Sequence, residues 1–252
     1  MIQKGNVIEK GGVMFSAVWG DLHEKMLASM GLKEKVDFFA TGVSIVIHPQ
    51  SPMVPIIHMN VRYFELEDSN YWFGGGIDLT PHYVDLEKAT SFHTSLKEVS
   101  DRYDTSFYPK FKEWADRYFF LPHRGESRGV GGIFFDQLDE SCGLTKDQLF
   151  AYCQDLGRLF PVVYAHQVEG VVLNEPTAEE LAWQALRRGR YVEFNLVFDR
   201  GTHFGLQSGG RSESILLSMP PLVSWSYQRT PAADSPEARL TTDFLVRKEW
   251  LA

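Results

Sequence analysis

Three polar residues alternate through the segment 56–66, IIHMNVRYFEL: His58, Asn60 and Arg62. In an extended strand successive side chains point to opposite faces, so these three share one face with Phe64, while Ile57, Met59, Val61 and Tyr63 take the other. An imidazole can hold or move a proton near neutral pH, an amide both donates and accepts, and a guanidinium offers a planar fork to a carboxylate. In the preceding run, FFATGVSIVIH, the same rule groups Ser44, Val46 and His48. Two such strands side by side would present Ser44, His48, His58, Asn60 and Arg62 to one cavity. The competing reading is the solvated face of an amphipathic sheet. Such a face usually carries Lys, Glu and Thr rather than His, Asn and Arg.

Three glycine-rich segments accompany this stripe. In YWFGGGIDLTP, Gly74, Gly75 and Gly76 would let the backbone approach a flat ligand closely, with Asp78 beside it; a flexible turn capped by Asp78 is the alternative. HRGESRGVGG precedes the strand-like IFFDQL and carries Arg128, a candidate carboxylate holder, and Gly209, Gly210 and Arg211 form a third small-residue turn beside an arginine. Neither GxGxxG nor GxxxxGK[ST] occurs, so these segments are not nucleotide loops.

Positioning these residues requires strands and helices in alternation. Residues 38–48 and 56–66 are rich in β-branched residues and joined by HPQSPMVP, which predicts an antiparallel pair. Helical periodicity covers residues 85–103, 107–119 and 145–163, the last with Leu149, Tyr152, Leu156 and Leu159 on one face. Thr145 with Gln148 and Thr177 with Glu180 have capping-box spacing. The second box opens a helix over 178–188, for which Gly189 is the predicted stop. YVEFNLVFD then reads as strand, residues 199–202 as a turn, and SESILLSMPPLVSWSY as a last strand broken at Pro220 and Pro221.

Composition narrows the class. With 44% apolar and 13% aromatic residues, 252 residues can bury one large core, and without repeats or linkers the expectation is a single domain over 1–252. Against 33 Asp and Glu stand 25 Lys and Arg, a net charge of −8, which argues against a nucleic-acid or anionic-membrane surface. No stretch approaches the ~20 apolar residues of a membrane span. Cys142 and Cys153 match neither a redox pair nor a zinc knuckle, so buried structural thiols in the cytoplasm are expected.

Taken in order, FFATGVSIVIHPQSPMVPIIHMNVRYFE, WFGGGIDLTPHY, YPKFKEWADRYFFLPHRGESRGVGGIFFD, RRGRYVEFNLVFDRGTHFGLQSGGR and ESILLSMPP closely resemble the successive blocks of the oxygen-dependent coproporphyrinogen III oxidase family. The resemblance implies an α+β fold, a large mainly antiparallel sheet flanked by helices on both faces. It implies a homodimer with an interface within residues 191–227, from Tyr191 to Tyr227, and by the same comparison the helical segment that usually precedes these blocks in the family is expected to be missing from this sequence. It further implies oxidative decarboxylation of two propionates of coproporphyrinogen III to vinyl groups, with O2 as acceptor and protoporphyrinogen IX, CO2 and H2O2 as products. By motif, His58 matches the family's catalytic histidine and Asp78 the aspartate proposed to contact pyrrole N–H groups. Ser44, Asn60, Arg62, Gly209, Gly210 and Arg211 match substrate-binding positions. A divalent metal at His48, His58, His93 and His123 is a further implied possibility, although the eight histidines show no HxxxH or HxH pair.

That chemistry suits the residues. A porphyrinogen is electron-rich and can itself supply electrons to oxygen, so no organic redox cofactor beyond O2 is required. Its four propionates form an anionic rim for which arginines are the natural partners, and Arg62, Arg128 and Arg211 are the candidates. Three other readings compete: a metal-dependent oxygenase using the same histidines, a tetrapyrrole carrier without turnover, and a protein-interaction module built on the aromatic and glycine-rich segments.

Overall fold

The computed structural model describes residues 1–22, 27, 35–67, 70–171, 175–207 and 210–251. Strands β1 (Ile2–Gln3), β2 (Ile8–Asp21), β3 (Asp37–Pro49), β4 (Ile56–Leu66), β5 (Tyr71–Thr80) and β8 (Gly131–Leu138) form one six-stranded sheet in that order, with every neighbouring pair antiparallel. Between β5 and β8 the chain makes helices α1 (Leu86–Asp101) and α2 (Phe107–Tyr118) and a small ribbon of β6 (Phe120–Leu121) with β7 (Glu126–Ser127). After β8 come α3 (Lys146–Val168), α4 (Ala178–Val197), α5 (Arg200–Gln207), α6 (Ser212–Ile215) and α7 (Pro236–Arg239).

Alternation in the strands builds the core. Ile57, Met59, Phe73, Ile77, Leu79, Ile133 and Phe135 turn to one side of the sheet, where they meet Phe92 and Leu96 of α1, Phe111 of α2 and Leu149, Tyr152 and Leu156 of α3. Each such side chain, taken fully out of water, contributes ~1.5–3 kcal/mol. Helix α4 lies on the opposite face, where Tyr191 packs with Val46 and Ile56. The fold is thus α+β, an antiparallel sheet with helices on both faces. Among the described residues no helix is long and apolar enough to cross a membrane.

Both predicted capping boxes are formed, at Thr145 with Gln148 and at Thr177 with Glu180. The C-terminal third departs from expectation. Residues 191–197 continue α4 instead of returning to strand, because Trp183, Leu186, Arg187, Tyr191 and Phe194 make one buried helical stripe that outweighs local β propensity. Gly189 does not stop the helix. A Cβ there would lie 2.7 Å from the Ser224 carbonyl oxygen, so this glycine admits the returning chain, whose Ser224 N–H donates to Ala185 O at 2.9 Å. The predicted turn at 199–202 is the start of α5, where the Asp199 carboxylate accepts from Thr202 N at 2.7 Å. The predicted last strand is instead α6, a 3₁₀ turn at Leu216–Ser218 and an irregular run. Glycines 74–76 are not a turn but lie within β5.

Candidate functional site

The register of the central strands assembles the polar stripe. Ser44 on β3 stands opposite Asn60 on β4, which stands opposite Gly76 on β5 and, through it, Phe134 on β8. Two residues along, Val46, His58, Asp78 and Gly132 form the next row. In the other direction Gly42, Arg62 and Gly74 form a third. Because directly opposed residues share a face, all of these project away from the hydrophobic core.

The His58 row carries a charged chain. His58 Nδ1 and Asp78 Oδ1 are 2.9 Å apart, and Arg128 Nη2 donates to Asp78 Oδ2 at 2.5 Å. The side chains of Arg128 and Asp78 are only 2% and 3% exposed, whereas that of His58 is 25% exposed and forms the open end of the chain. Burial alone would push the Asp78 carboxyl up, but the Arg128 charge and the His58 hydrogen bond outweigh it and hold the group below the usual carboxylate range. Such a carboxylate is a weak base. It is suited to orienting His58.

Arg128 reaches Asp78 through an aromatic cradle, its guanidinium carbon lying 4.3, 4.5 and 4.8 Å from the ring centroids of Phe119, Phe194 and Tyr191. The close approach of β8 to β5 is possible only at glycine: Gly132 has φ +156, and a Cβ there would sit 1.9 Å from Ile77 O. The carboxylate Arg128 holds is therefore that of Asp78, inside the protein, rather than one presented from solvent.

At the other end, Arg62 Nη1 donates to Asn60 Oδ1 at 3.0 Å and Nη2 lies 2.9 Å from Asp136 Oδ1. Its guanidinium sits 6.0 Å from the centre of the Phe134 ring. This end is open to solvent, with Arg62 34% and Asp136 30% exposed. Arg62 stands four positions beyond His58, roughly 13 Å along a strand.

The remaining predicted positions fall in three groups. Ser44 is half-buried beside Asn60. Gly210 and Arg211 are exposed at the start of α6, and Gly209 lies outside the described residues. The chain just beyond them does reach the same face: Lys10 Nζ donates to Met219 O at 2.7 Å, and His48 Nε2 to Ser218 O at 2.8 Å.

The four candidate metal ligands do not converge. His48 is buried against the edge of Tyr191, and burial pushes its imidazole down to about 3. His93 lies in the core, donating from Nε2 to Val130 O and accepting at Nδ1 from Tyr108 Oη, both at 3.0 Å, with its ring stacked on Trp250. His123 pairs with Glu193 at 2.7 Å and stacks on Phe198. Only His58 stands in the polar row. Among the described residues no group of three or more His, Cys, Asp or Glu could hold a metal ion, so the set does not fit one coordination sphere as placed.

Sequence reasoning missed Asp136 and the rings around Arg128. Alternation in IFFDQL already puts Phe134 and Asp136 on one face, and that was the available signal. The aromatic cradle brings the end of α2 and helix α4 to the residue that follows β7, and no spacing rule connects those.

Fold and site together define an α+β protein whose sheet face combines an ion-paired carboxylate, an imidazole and a separate arginine fork. The family model described as coproporphyrinogen III oxidase matches residues 1–250, and the chain belongs to that family of porphyrin-biosynthesis enzymes.

Proposed function

We propose that this enzyme converts coproporphyrinogen III to protoporphyrinogen IX with dioxygen as the electron acceptor. For each of two propionates the reaction balances as CH2CH2COOH plus O2 giving CH=CH2, CO2 and H2O2. The observation that carries the reading is the common face of His58, Asp78 and Arg62 in a chain matched to the family over residues 1–250. Arg62 binds a propionate, Asn60 and Ser44 complete that contact, and the turn at Gly210 and Arg211 closes over the macrocycle. His58 exchanges protons with the pyrrole N–H edge, and Asp78 keeps its ring in place.

Oxygen is favoured over another acceptor because the substrate is itself the reductant. The chain's two cysteines, Cys142 and Cys153, cannot supply the four thiolates of an iron–sulfur centre, and burial pushes the Cys153 thiol up to about 12. A cytoplasmic homodimer accords with these unpaired cysteines and with Leu222, Trp225 and Tyr227, which stand exposed within residues 191–227; Tyr191 itself is buried. Anaerobic mixing with coproporphyrinogen III followed by an oxygen pulse tests the reading. One O2 consumed per CO2 released supports it, and decarboxylation before the pulse refutes it.

A further inference from the structure

The geometry points to Asp136 as a positioning residue that fixes the Arg62 fork for a substrate carboxylate, an inference that rests on the function proposed above. Three separate features of the backbone converge on this one ion pair. Pairing between β5 and β8 steps from Phe73 opposite Leu138 to Gly75 opposite Phe135, so Asp136 and Gln137 together face the single residue Gly74. That is a β-bulge, a device that re-aims a side chain. Gln137 takes φ +49, a left-handed conformation rare outside glycine, and its N–H donates to Asp136 Oδ1 at 3.1 Å. Gly74 completes the arrangement, because a Cβ there would lie 2.7 Å from Arg62 Nε, Arg62 Nη2 and Asp136 Oδ1 alike.

A half-exposed ion pair adds little to stability, so stability alone does not account for a bulge, a left-handed glutamine and a glycine all placed to form it. What the pair does supply is orientation. Asn60 Oδ1 and Asp136 Oδ1 hold two different nitrogens of the guanidinium, which stops rotation about its long axis and leaves its other N–H groups pointing in fixed directions. A propionate then meets a fork that is already set, and the ordering cost is not charged against binding. Asp136 acts through Arg62, some four residues along the sheet from His58, so its influence belongs to binding and not to the chemical step.

The test compares Asp136→Ala with Asp136→Asn in the full chain. With coproporphyrinogen III, Asp136→Ala should raise KM about tenfold while kcat stays within about twofold. Asp136→Asn, which keeps an oxygen acceptor for Arg62, should restore most of the affinity. Nitrogen-15 NMR of the arginine side chains supplies a readout independent of turnover: rotation of the Arg62 guanidinium should be slow in the parent and the Asn variant and fast in the Ala variant. Equal Arg62 mobility in all three proteins, or a KM that stays level or falls in Asp136→Ala, overturns the inference. An inactive parent protein whose Arg62 nonetheless loosens in Asp136→Ala would instead count against the proposed reaction while upholding the positioning role.

Discussion

The two ends of the polar face use arginine in opposite ways. Arg128 is buried among three aromatic rings and spends its charge on Asp78, while Arg62 lies one-third exposed and is steadied by Asn60 and Asp136 with donors to spare. A buried cation tunes a neighbour, because in a low dielectric its charge is felt strongly and its removal leaves a partner uncompensated. An open cation captures a ligand, because its remaining N–H groups are still available. Burial, not residue type, therefore separates an arginine placed to tune a neighbour from one placed to meet a ligand.

Substitutions should break this contrast in a defined order. Under the proposed function His58→Ala removes the open end of the His58–Asp78 pair and should lower kcat by about 10²–10⁴-fold with the fold retained, as checked by single-turnover assays and circular dichroism. Arg128→Met should cost about 3–5 kcal/mol in urea unfolding, because Asp78 is left buried and unpaired. Adding Asp78→Asn to that variant should recover part of the loss. Arg62→Ala should raise KM by about 10–100-fold, the worth of one or two charge-assisted bonds, without comparable stability loss.

A further effect concerns pH and sharpens the comparison from the buried side. His48, held down to about 3 by burial, stays neutral in the folded protein while the unfolded chain takes up a proton near 6.5. The stability this neutral histidine contributes is complete above pH 6.5 and is lost as pH falls from there towards 3. The slope is about 1.4 kcal/mol per pH unit for one proton. The buried His82 and His93, also held neutral by burial, add to the same slope, so chemical denaturation across pH 4 to 7 should show a steeper one, and His48→Gln should reduce it by about one proton.

The sequence exposes one half of this site better than the other. Alternation in residues 56–66 places His58, Asn60 and Arg62 on one face without any structure, since a strand's period of two admits no other arrangement. The match of Ser44 to Asn60 and of His58 to Asp78 depends on register, which is set by the hairpin lengths and core packing of the whole sheet. Arg128 reads equally well as a ligand-binding or a structural cation until the rings of Phe119, Tyr191 and Phe194 are seen around it. The misread end of α4 has the same origin. YVEFNLVFD has strand composition, but its buried residues follow the helical stripe begun at Trp183. Strand β2 went unrecognised because Val13, Phe15 and Trp19 remain exposed, and their alternation reflects no buried face.

The most direct test of the central claim is a crystal structure of the protein with coproporphyrin, the oxidised tetracarboxylate, bound. One macrocycle lying on the face of β3, β4 and β5, with a carboxylate on Arg62 and its pyrrole edge towards His58, is the predicted result. A ligand bound elsewhere, or one whose carboxylates ignore Arg62 while another part of the chain holds them, would contradict it.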